Sequence, residues 1–226
     1  MTLDKSRAAL VEQYRLDTVN ERGRRFVFAY TNEEVRRLND AIQELEIERG
    51  RVLGVQSFET DRGTLRVGEG DRIVFRGNDK PRGILNGLLA TVQTIEGSTL
   101  VARTDRGRKI SIDLEKFGAV ELGYAGTIYR GQGKTLDEAY VLHTRHWRDA
   151  ATYVALTRSR GATCVFVSKD QARDLKDLAR QMSRQSRRGS TLRFSHIPDH
   201  RSSRNAPPSN EAAGRAMHRD KEREHE

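Results

Sequence analysis

Two segments in the second half of the chain contain residue types that phosphate chemistry uses. They are Gly123-Tyr-Ala-Gly-Thr-Ile-Tyr-Arg-Gly-Gln-Gly-Lys-Thr135 and Tyr153-Val-Ala-Leu-Thr-Arg-Ser-Arg160. Gly133-Lys134-Thr135 resembles the end of a phosphate-binding loop, G-x-x-x-x-G-K-[ST], whose first glycine would fall at position 128. That position is Ile128, which argues against such a loop. A self-sufficient kinase or ATPase that uses these three residues is an alternative, and it predicts nucleotide binding by the isolated chain.

Arg158 of the second segment is a residue type that phosphoryl-transfer chemistry uses. A guanidinium is planar and always protonated, so a well-positioned one can stabilise the charge that develops on a transferred phosphoryl group. The pattern predicts a helix over about 148–160, in which Tyr153, Val154 and Leu156 anchor Arg158 to a sheet. The alternative is that Arg158 is a solvated surface charge.

The composition favours a polyanionic partner. The 226 residues include 41 Lys and Arg against 32 Asp and Glu, a formal net charge of +9, and nucleic acid is the leading candidate. The low mean hydropathy of -0.75 predicts that part of the chain is unpacked. Because the N-terminus has no apolar signal region and no segment approaches about 18 apolar residues, the sequence predicts a cytoplasmic protein with no membrane contact.

The first half of the chain begins with a helical pattern and then gives a strand, a turn and a helix. Residues 1–24 are polar with scattered apolar positions, which predicts a helix without a clear partner. Phe26-Val-Phe-Ala-Tyr30 is an apolar run typical of a strand. Thr31 and Glu34 then form a T-x-x-E capping box, which predicts the start of a helix.

The middle of the chain, residues 51–118, has short alternating runs that are separated by glycine turns. Turn signals at Asn86-Gly87, Glu96-Gly97 and Asp105-Arg-Gly107 predict a small antiparallel β unit, a barrel in our interpretation.

Strands and helices alternate again after residue 118, which predicts a parallel sheet interrupted by the β unit. Predicted strands cover about 119–124, 139–143 and 163–168. Ser168-Lys-Asp-Gln171 is a second capping box and predicts the start of a last helix with Leu175, Leu178 and Met182 inward.

Three segments together resemble the later motifs of RecD-like superfamily 1 helicases, and most closely the helicase half of TraA-type conjugative relaxases. They are Ala29-Tyr-Thr-Asn-Glu-Glu-Val-Arg-Arg-Leu-Asn39, Thr127-Ile-Tyr-Arg-Gly-Gln-Gly133 and Tyr153-Val-Ala-Leu-Thr-Arg158. Residues 70–79 with Asn86-Gly87 resemble the start of the small barrel that these helicases insert in their second motor domain.

The resemblance implies an α/β fold with a RecA-like parallel sheet and an inserted small antiparallel β-barrel. From Ser183 onward the chain is rich in Arg, Ser, Gly, Pro and Asn and ends in mixed charge, which predicts a disordered basic C-terminal tail. The implied division is a helical lead-in, a second motor domain in two pieces, the inserted barrel and the tail: 1–24, 25–50 with 119–183, 51–118 and 184–226.

The resemblance also implies roles for individual residues. Arg158 supplies an arginine finger, and Gln132 and Gly133 couple to the nucleotide with it. Thr127, Tyr129 and Arg130 contact single-stranded DNA, where a hydroxyl and a cation suit phosphates. Tyr129 stands where many relatives have histidine, so it either stacks on a base or packs beneath the turn.

Thr31 and Asn32 are further candidates for DNA contact, although the capping role of Thr31 explains that residue adequately. His143 and His146 lack the additional ligands of a metal site, so no bound metal is expected at them.

The implied function is part of an ATP-dependent DNA helicase that uses ATP and Mg²⁺. No G-x-x-x-x-G-K-[ST] segment occurs in these residues, so we expect a first motor domain to hold both, and no ATP hydrolysis by this chain alone. The partners expected are that domain and single-stranded DNA. A non-enzymatic basic DNA-binding module is the alternative from another class.

Overall fold

A computed structural model of the protein describes residues 2–17, 25–60, 62–128 and 136–185. In chain order, the helices and strands are α1 (Leu3–Leu16), β1 (Arg25–Phe28), α2 (Asn32–Glu48), β2 (Leu53–Thr60), β3 (Gly63–Glu69), β4 (Arg72–Phe75), β5 (Leu89–Glu96), β6 (Thr99–Thr104), β7 (Lys109–Asp113), β8 (Val120–Leu122), β9 (Ala125–Gly126), β10 (Glu138–Leu142), α3 (Asp149–Leu156), β11 (Thr163–Phe166) and α4 (Leu175–Met182).

Strands β11, β10, β1 and β9 form a parallel sheet in that order. Consecutive residues of β1 enter two different cores. Val27 packs with α1 and α2 on one face of the sheet, and Phe26 and Phe28 pack on the other. Because both faces are covered, the strand is an unbroken apolar run. The prediction of an α/β fold with a parallel sheet is therefore confirmed.

Helix α2 begins where the capping box predicts. The Thr31 hydroxyl accepts a hydrogen bond from the Glu34 N–H at 3.2 Å, and Val35, Leu38 and Ile42 are buried against the sheet. Only half of the predicted box forms in this way. The Glu34 carboxylate is bound by the Arg7 guanidinium of α1, at 3.1 Å from Nε.

Helix α1 packs on the sheet, and the expectation that it lacks a clear partner was wrong. Leu10 and Tyr14 are buried in the same core as α2. The Arg25 guanidinium lies 4.4 Å from the centre of the Tyr14 ring and donates to the carbonyls of Tyr14 and Asp17 at 2.9 and 3.0 Å. These contacts join the end of α1 to the start of β1.

The two later helices are shorter than predicted. Helix α3 ends at Leu156 instead of near residue 160, and Tyr153 is 70% exposed, so that ring does not anchor the helix to the sheet. Helix α4 begins after Asp174, whose carboxylate accepts the Asp177 N–H at 2.7 Å. Ser168 does not begin a helix, and Leu175 is 82% exposed.

A second sheet, antiparallel, has the strand order β7-β6-β5-β4-β8. Strands β2 and β3 form a separate antiparallel pair, and Leu65 and Val67 of β3 join the core of the five-stranded sheet. The glycines of the three predicted turns all adopt positive φ. Strand β8 lies in this sheet, antiparallel to β4, and not in the parallel sheet that the sequence pattern favoured.

A buried polar network connects α2 to the antiparallel strands. The Asp71 carboxylate is fully buried and accepts hydrogen bonds from the Gln43 amide at 2.6 Å, the Gly68 N–H at 2.8 Å and the Tyr124 hydroxyl at 2.6 Å. Burial raises the pKa of Asp71 even though all three donors act to lower it. Asn39, one turn earlier on α2, accepts the Ala125 N–H at 2.7 Å and donates to the Leu122 carbonyl at 3.2 Å.

Candidate nucleic-acid and nucleotide interface

The four strands of the parallel sheet all end at one edge, which we call the carboxyl edge. Phe28 and Gly126 are register partners at the ends of β1 and β9, and the Ala29 N–H donates to the Gly126 carbonyl at 3.2 Å. The residues that follow these strand ends include Thr31, Asn32 and Thr127. The structure thus brings together the described residues that the sequence predicted for DNA contact.

The three residues differ in how available their side chains are. Asn32 is exposed at the start of α2, whereas Thr31 and Thr127 are half-buried. The Thr31 oxygen accepts the capping bond, but its O–H can still donate. Two hydroxyls and a carboxamide suit contacts to phosphate or sugar oxygens, which hold a strand without reading its sequence.

An aromatic pair at the carboxyl edge was missed in the sequence analysis. The rings of Tyr30 and His146 stack with centroids 5.6 Å apart and an angle of 23° between their planes. Trp147 is fully buried, lies 6.1 Å from the Tyr30 ring and donates its indole N–H to the Leu142 carbonyl at 3.0 Å. The available signal was that Tyr30 ends one predicted strand and His146 follows the end of another.

The opposite edge of the sheet, which we call the amino edge, holds Arg158. The Leu136 N–H donates to the Arg158 carbonyl at 2.9 Å, and the Arg160 N–H donates to the Leu136 carbonyl at 2.8 Å. Leu136 lies just before β10. Arg158 therefore lies in a bend next to an isolated parallel bridge between Ser159 and Leu136, and not on the helix that the sequence predicted.

The Arg158 guanidinium has no fixed partner within the part of the chain that the structure describes. No carboxylate there forms a salt bridge with it, and its Nε is buried without a hydrogen-bond acceptor. A buried N–H of this kind is costly unless something binds it. The side chain is thus suited to an anionic ligand.

Four of the predicted site residues, Tyr129, Arg130, Gln132 and Gly133, lie outside the described residues. The residues on either side of this stretch are Ile128 and Leu136, which are buried in the same core. Thr127 follows the end of β9 and Leu136 precedes the start of β10, so the stretch connects the carboxyl edge to the amino edge.

His143 is a packed histidine at the carboxyl edge. Its Nε2 lies 3.1 Å from the Gln181 Oε1 of α4, and burial lowers the pKa of the imidazole. His146 faces Tyr30 instead. Among the described residues, no group of three or more His, Cys, Asp or Glu side chains is placed to hold a metal ion.

A groove of about 690 Å³ lies between α2, β3 and β8, with Asn32 among its lining residues. Two of its cations are already paired, Arg62 with Glu121 at 3.1 Å and Arg66 with Glu44 at 2.8 Å. The groove therefore presents mixed charge, which suits a polyanion less well than the carboxyl edge does.

Comparison with known proteins gives related sequences and a related fold. Conjugal transfer protein TraA of Rhizobium radiobacter is 31% identical over 173 residues, which are 75% of this chain and 16% of the relative. ATP-dependent DNA helicase Pif1 of Bdellovibrio bacteriovorus is 32% identical over 108 residues, 41% of this chain and 25% of the relative. This chain therefore spans only a small part of the length of these curated relatives. No family model matches it.

Among solved structures, the Pif1 helicase from Bacteroides in complex with ADP-AlF3 and ssDNA has a similar fold. The TM-score is 0.52 at 18% identity, covering 80% of this chain and 49% of that chain. The mixed α/β fold with its parallel sheet is thus similar to the fold of this Pif1 helicase. The chain itself is homologous to the TraA conjugal transfer proteins and to Pif1-type superfamily 1 helicases, which confirms the resemblance of its motifs.

Of the helices within the described ranges, none is both long and apolar enough to cross a lipid bilayer.

Proposed function

We propose that this chain acts as the second motor region of an ATP-dependent DNA helicase of the TraA relaxase type. In this function, the carboxyl edge of the parallel sheet holds single-stranded DNA and the amino edge presents Arg158 to ATP. The homology to TraA and Pif1 supports the helicase class. In this proposal, DNA binds at the carboxyl edge and the nucleotide contacts the amino edge.

One observation carries the proposal. The chain passes from Thr127 at the carboxyl edge to Leu136, whose backbone pairs with Arg158 at the amino edge. The edges are separated by roughly 13 Å, since a four-residue strand rises about 3.3 Å per residue. The eight residues that join Thr127 to Leu136 therefore link the two edges in the chain, and such a link suits the coupling of DNA binding to ATP turnover.

Arg158 suits the role of an arginine finger because of how it is held. Its backbone is fixed by the pairing with Leu136, and Ser159 beside it donates its hydroxyl to the Asp137 carbonyl at 2.8 Å. A guanidinium on a fixed backbone can be presented at one position, and such a finger accelerates phosphoryl transfer by about 10³ to 10⁵.

The remaining roles complete the proposal. Gln132 and Gly133 contact the nucleotide beside Arg158, and Tyr129 and Arg130 contact the DNA strand beside Thr127. ATP and Mg²⁺ are held mainly by a first motor domain that contains the phosphate-binding loop, in the same polypeptide or in a separate one. This chain therefore does not hydrolyse ATP on its own.

We extend the proposal to the organisation of the chain. The division is a lead-in, a RecA-like motor domain in two pieces, an inserted small barrel and a basic tail: 1–24, 25–50 with 119–183, 51–118 and 184–226. The prediction of disorder for the tail falls on residues beyond 185, which lie outside the described residues. The packing of β3 against the five-stranded sheet supports a closed unit within residues 51–118.

The proposal includes a cytoplasmic location, because a protein that acts on plasmid DNA during conjugation and uses ATP works there.

The test is reconstitution of the motor. The first motor domain of a TraA relative is produced separately and mixed with this chain, and ATP hydrolysis is measured with and without a single-stranded oligonucleotide. We expect DNA-stimulated hydrolysis only in the mixture. Hydrolysis by the chain alone would instead support the alternative that uses Gly133-Lys134-Thr135. A lack of any gain on mixing would refute the helicase proposal.

A second candidate function, a non-enzymatic basic DNA-binding module, is favoured by a separate surface. Two loops of the antiparallel sheet meet where the Arg108 guanidinium donates to the Gly83 carbonyl. The exposed cations on and beside these loops are Lys80, Arg82, Arg103, Arg106, Arg108 and Lys109.

Salt and deletion distinguish the two functions. Binding through this surface and the tail depends steeply on salt, falls when residues 184–226 are deleted, and is insensitive to changes at Tyr129 or Arg130. The helicase function predicts the opposite response to changes at those two residues.

A further inference from the structure

The stacked pair of Tyr30 and His146 has a solvent-exposed side at the carboxyl edge. Tyr30 is 40% exposed, and His146 is also exposed. The buried indole of Trp147 contacts the Tyr30 ring edge-on, with the ring centroids 6.1 Å apart. His146 stacks on Tyr30 and is itself exposed, so its ring is accessible to a ligand.

The loop that carries His146 is fixed in place. The Trp147 N–H donates to the Thr144 carbonyl at 3.1 Å, and the Arg148 guanidinium donates to the carbonyls of Arg145, His146 and Trp147 at 3.1, 3.2 and 2.8 Å. The Arg145 side chain donates to the carbonyls of Asp170 and Gln171. A ring on such a loop is preorganised for a ligand, so little ordering cost is incurred on binding.

The charge around the pair favours an anionic ligand. Arg145 and Arg148 flank His146 in sequence, and both donate to backbone carbonyls. Neither side chain forms a salt bridge with a carboxylate of the described ranges, so their charges are not neutralised there. The hydroxyls of Thr31 and Thr127 lie at the same edge. Phosphate-binding groups and an aromatic face thus occur side by side.

We propose that Tyr30 and His146 form a stacking platform for one nucleobase of a single-stranded nucleic acid. The base stacks on the outer face of His146, while the hydroxyls and cations around it hold the adjacent phosphates. Aromatic side chains, histidine included, bind unpaired bases in this way without strong sequence preference. This inference rests on the proposed binding of single-stranded DNA and names the residues that hold a base.

The test compares an intact oligonucleotide with one that lacks bases. Fluorescence anisotropy of the full chain is measured with a labelled 12-nucleotide dT oligomer and with the same oligomer containing consecutive abasic sites. The phosphates are identical in the two, so contacts of the basic tail cancel. We expect the wild-type chain to bind the intact oligomer about 5-fold or more tightly, the effect of one stacked base.

Variants of the platform should remove this discrimination. His146→Ala is expected to weaken binding of the intact oligomer by about 5-fold or more and to leave the abasic oligomer unaffected, whereas His146→Phe keeps the stacking face and retains the discrimination. His146 is exposed, so His146→Ala should fold normally, and thermal unfolding checks this. Leu175→Ala, which truncates an 82% exposed side chain on α4, is the matched control.

The outcomes separate the platform from the function that it rests on. Equal binding of both oligomers by the wild-type chain, or unchanged binding by His146→Ala, overturns the platform alone. Failure of the wild-type chain to bind any single-stranded oligomer overturns both the platform and the helicase proposal. Loss of binding to the abasic oligomer in His146→Ala would assign His146 to phosphate contact and overturn the stacking role.

Discussion

At the amino edge of the parallel sheet, Arg158 presents one guanidinium without a salt-bridge partner among the described residues, on a backbone that is fixed by Leu136. At the carboxyl edge there are hydroxyls, a carboxamide and the stacked rings of Tyr30 and His146. The first set concentrates charge at one point, as a triphosphate requires. The second set distributes polar and aromatic groups, with Arg145 and Arg148 beside them, over several strand ends, as a flexible strand requires.

In the proposed function, one small sheet serves two ligands. Each ligand meets loops and strand ends, while β1 and β10 between them are buried on both faces. Communication between the ligands then depends on the connection from Thr127 to Leu136. A substitution at one edge should therefore affect mainly the ligand at that edge, either ATP hydrolysis or oligomer binding.

The largest effect is expected at the amino edge. In the reconstituted motor, Arg158→Ala should lower the rate of ATP hydrolysis by about 10³-fold or more, because the charge on the transferred phosphoryl group loses its stabilising cation. Binding of a dT oligomer should not change. Arg160→Ala is the matched control, since Arg160 is exposed and also pairs with Leu136 only through its backbone. Equal losses in the two variants, or a loss of oligomer affinity in Arg158→Ala, would erase the distinction between the edges.

The next effect concerns the support of the carboxyl edge. Asn39→Ala should lower the free energy of unfolding by about 1–3 kcal/mol, because the buried Ala125 N–H and Leu122 carbonyl lose their partner. Urea unfolding measures this change. Oligomer binding should weaken as well, since β9 leads directly to Thr127. Arg36→Ala, an exposed change on the same helix, should stay within about 0.5 kcal/mol of the wild-type chain.

A smaller effect is expected at Thr31, where two roles coincide. Thr31→Ala should cost about 1 kcal/mol of stability because the Glu34 N–H loses its cap, and Thr31→Ser should restore most of that. If Thr31 also contacts DNA, Thr31→Ala alone weakens oligomer binding, which anisotropy measures. Normal binding by a destabilised Thr31→Ala would limit this residue to its capping role and remove it from the carboxyl edge.

The smallest effect is a pH dependence of stability that arises in α4, the helix whose Gln181 side chain contacts His143. The Arg173 N–H and then the Arg180 guanidinium lower the pKa of Asp177 to about 2. Because the folded pKa lies below the unfolded value of about 3.9, the ionised group stabilises the fold above that value. The stabilisation is lost as the pH falls through about 2.

Thermal unfolding between pH 2 and pH 5 tests this sign. The Tm difference between the wild-type chain and Asp177→Asn should be largest at the upper end and shrink toward the lower end. Asp40→Asn is the opposite control, since burial raises the pKa of Asp40, so the wild-type carboxylate costs stability as the pH rises. The same slope in both variants would contradict these assignments.

The sequence predicted the elements whose patterns are local. The run from Phe26 to Ala29 signals a strand buried on both faces, and Thr31 marks the start of α2 by its own hydrogen bond. Strands β10 and β11 followed in the same way from short apolar runs.

Features that depend on distant partners were not predictable. Helix α3 ends early because the backbone from Arg158 to Arg160 pairs with Leu136 instead of continuing the helix. The stacking of Tyr30 on His146 depends on the parallel pairing of β1 with β10, which residue spacing does not encode. Likewise, the Glu34 carboxylate accepts a hydrogen bond from the distant Arg7 and does not complete the capping box.

Helix α2 has polar side chains at three positions along its length, each next to a different part of the molecule. Its first residue, Asn32, lies at the carboxyl edge, Asn39 binds the backbone of β9, and Gln43 binds Asp71 of the antiparallel region. Apolar packing tolerates a helix that slides or rolls, but directional amide bonds do not. A slip of one turn, about 5.4 Å, would break both bonds at once. These two bonds therefore fix α2 along its axis, so the helix rise alone sets the distance from its first residue to the antiparallel region.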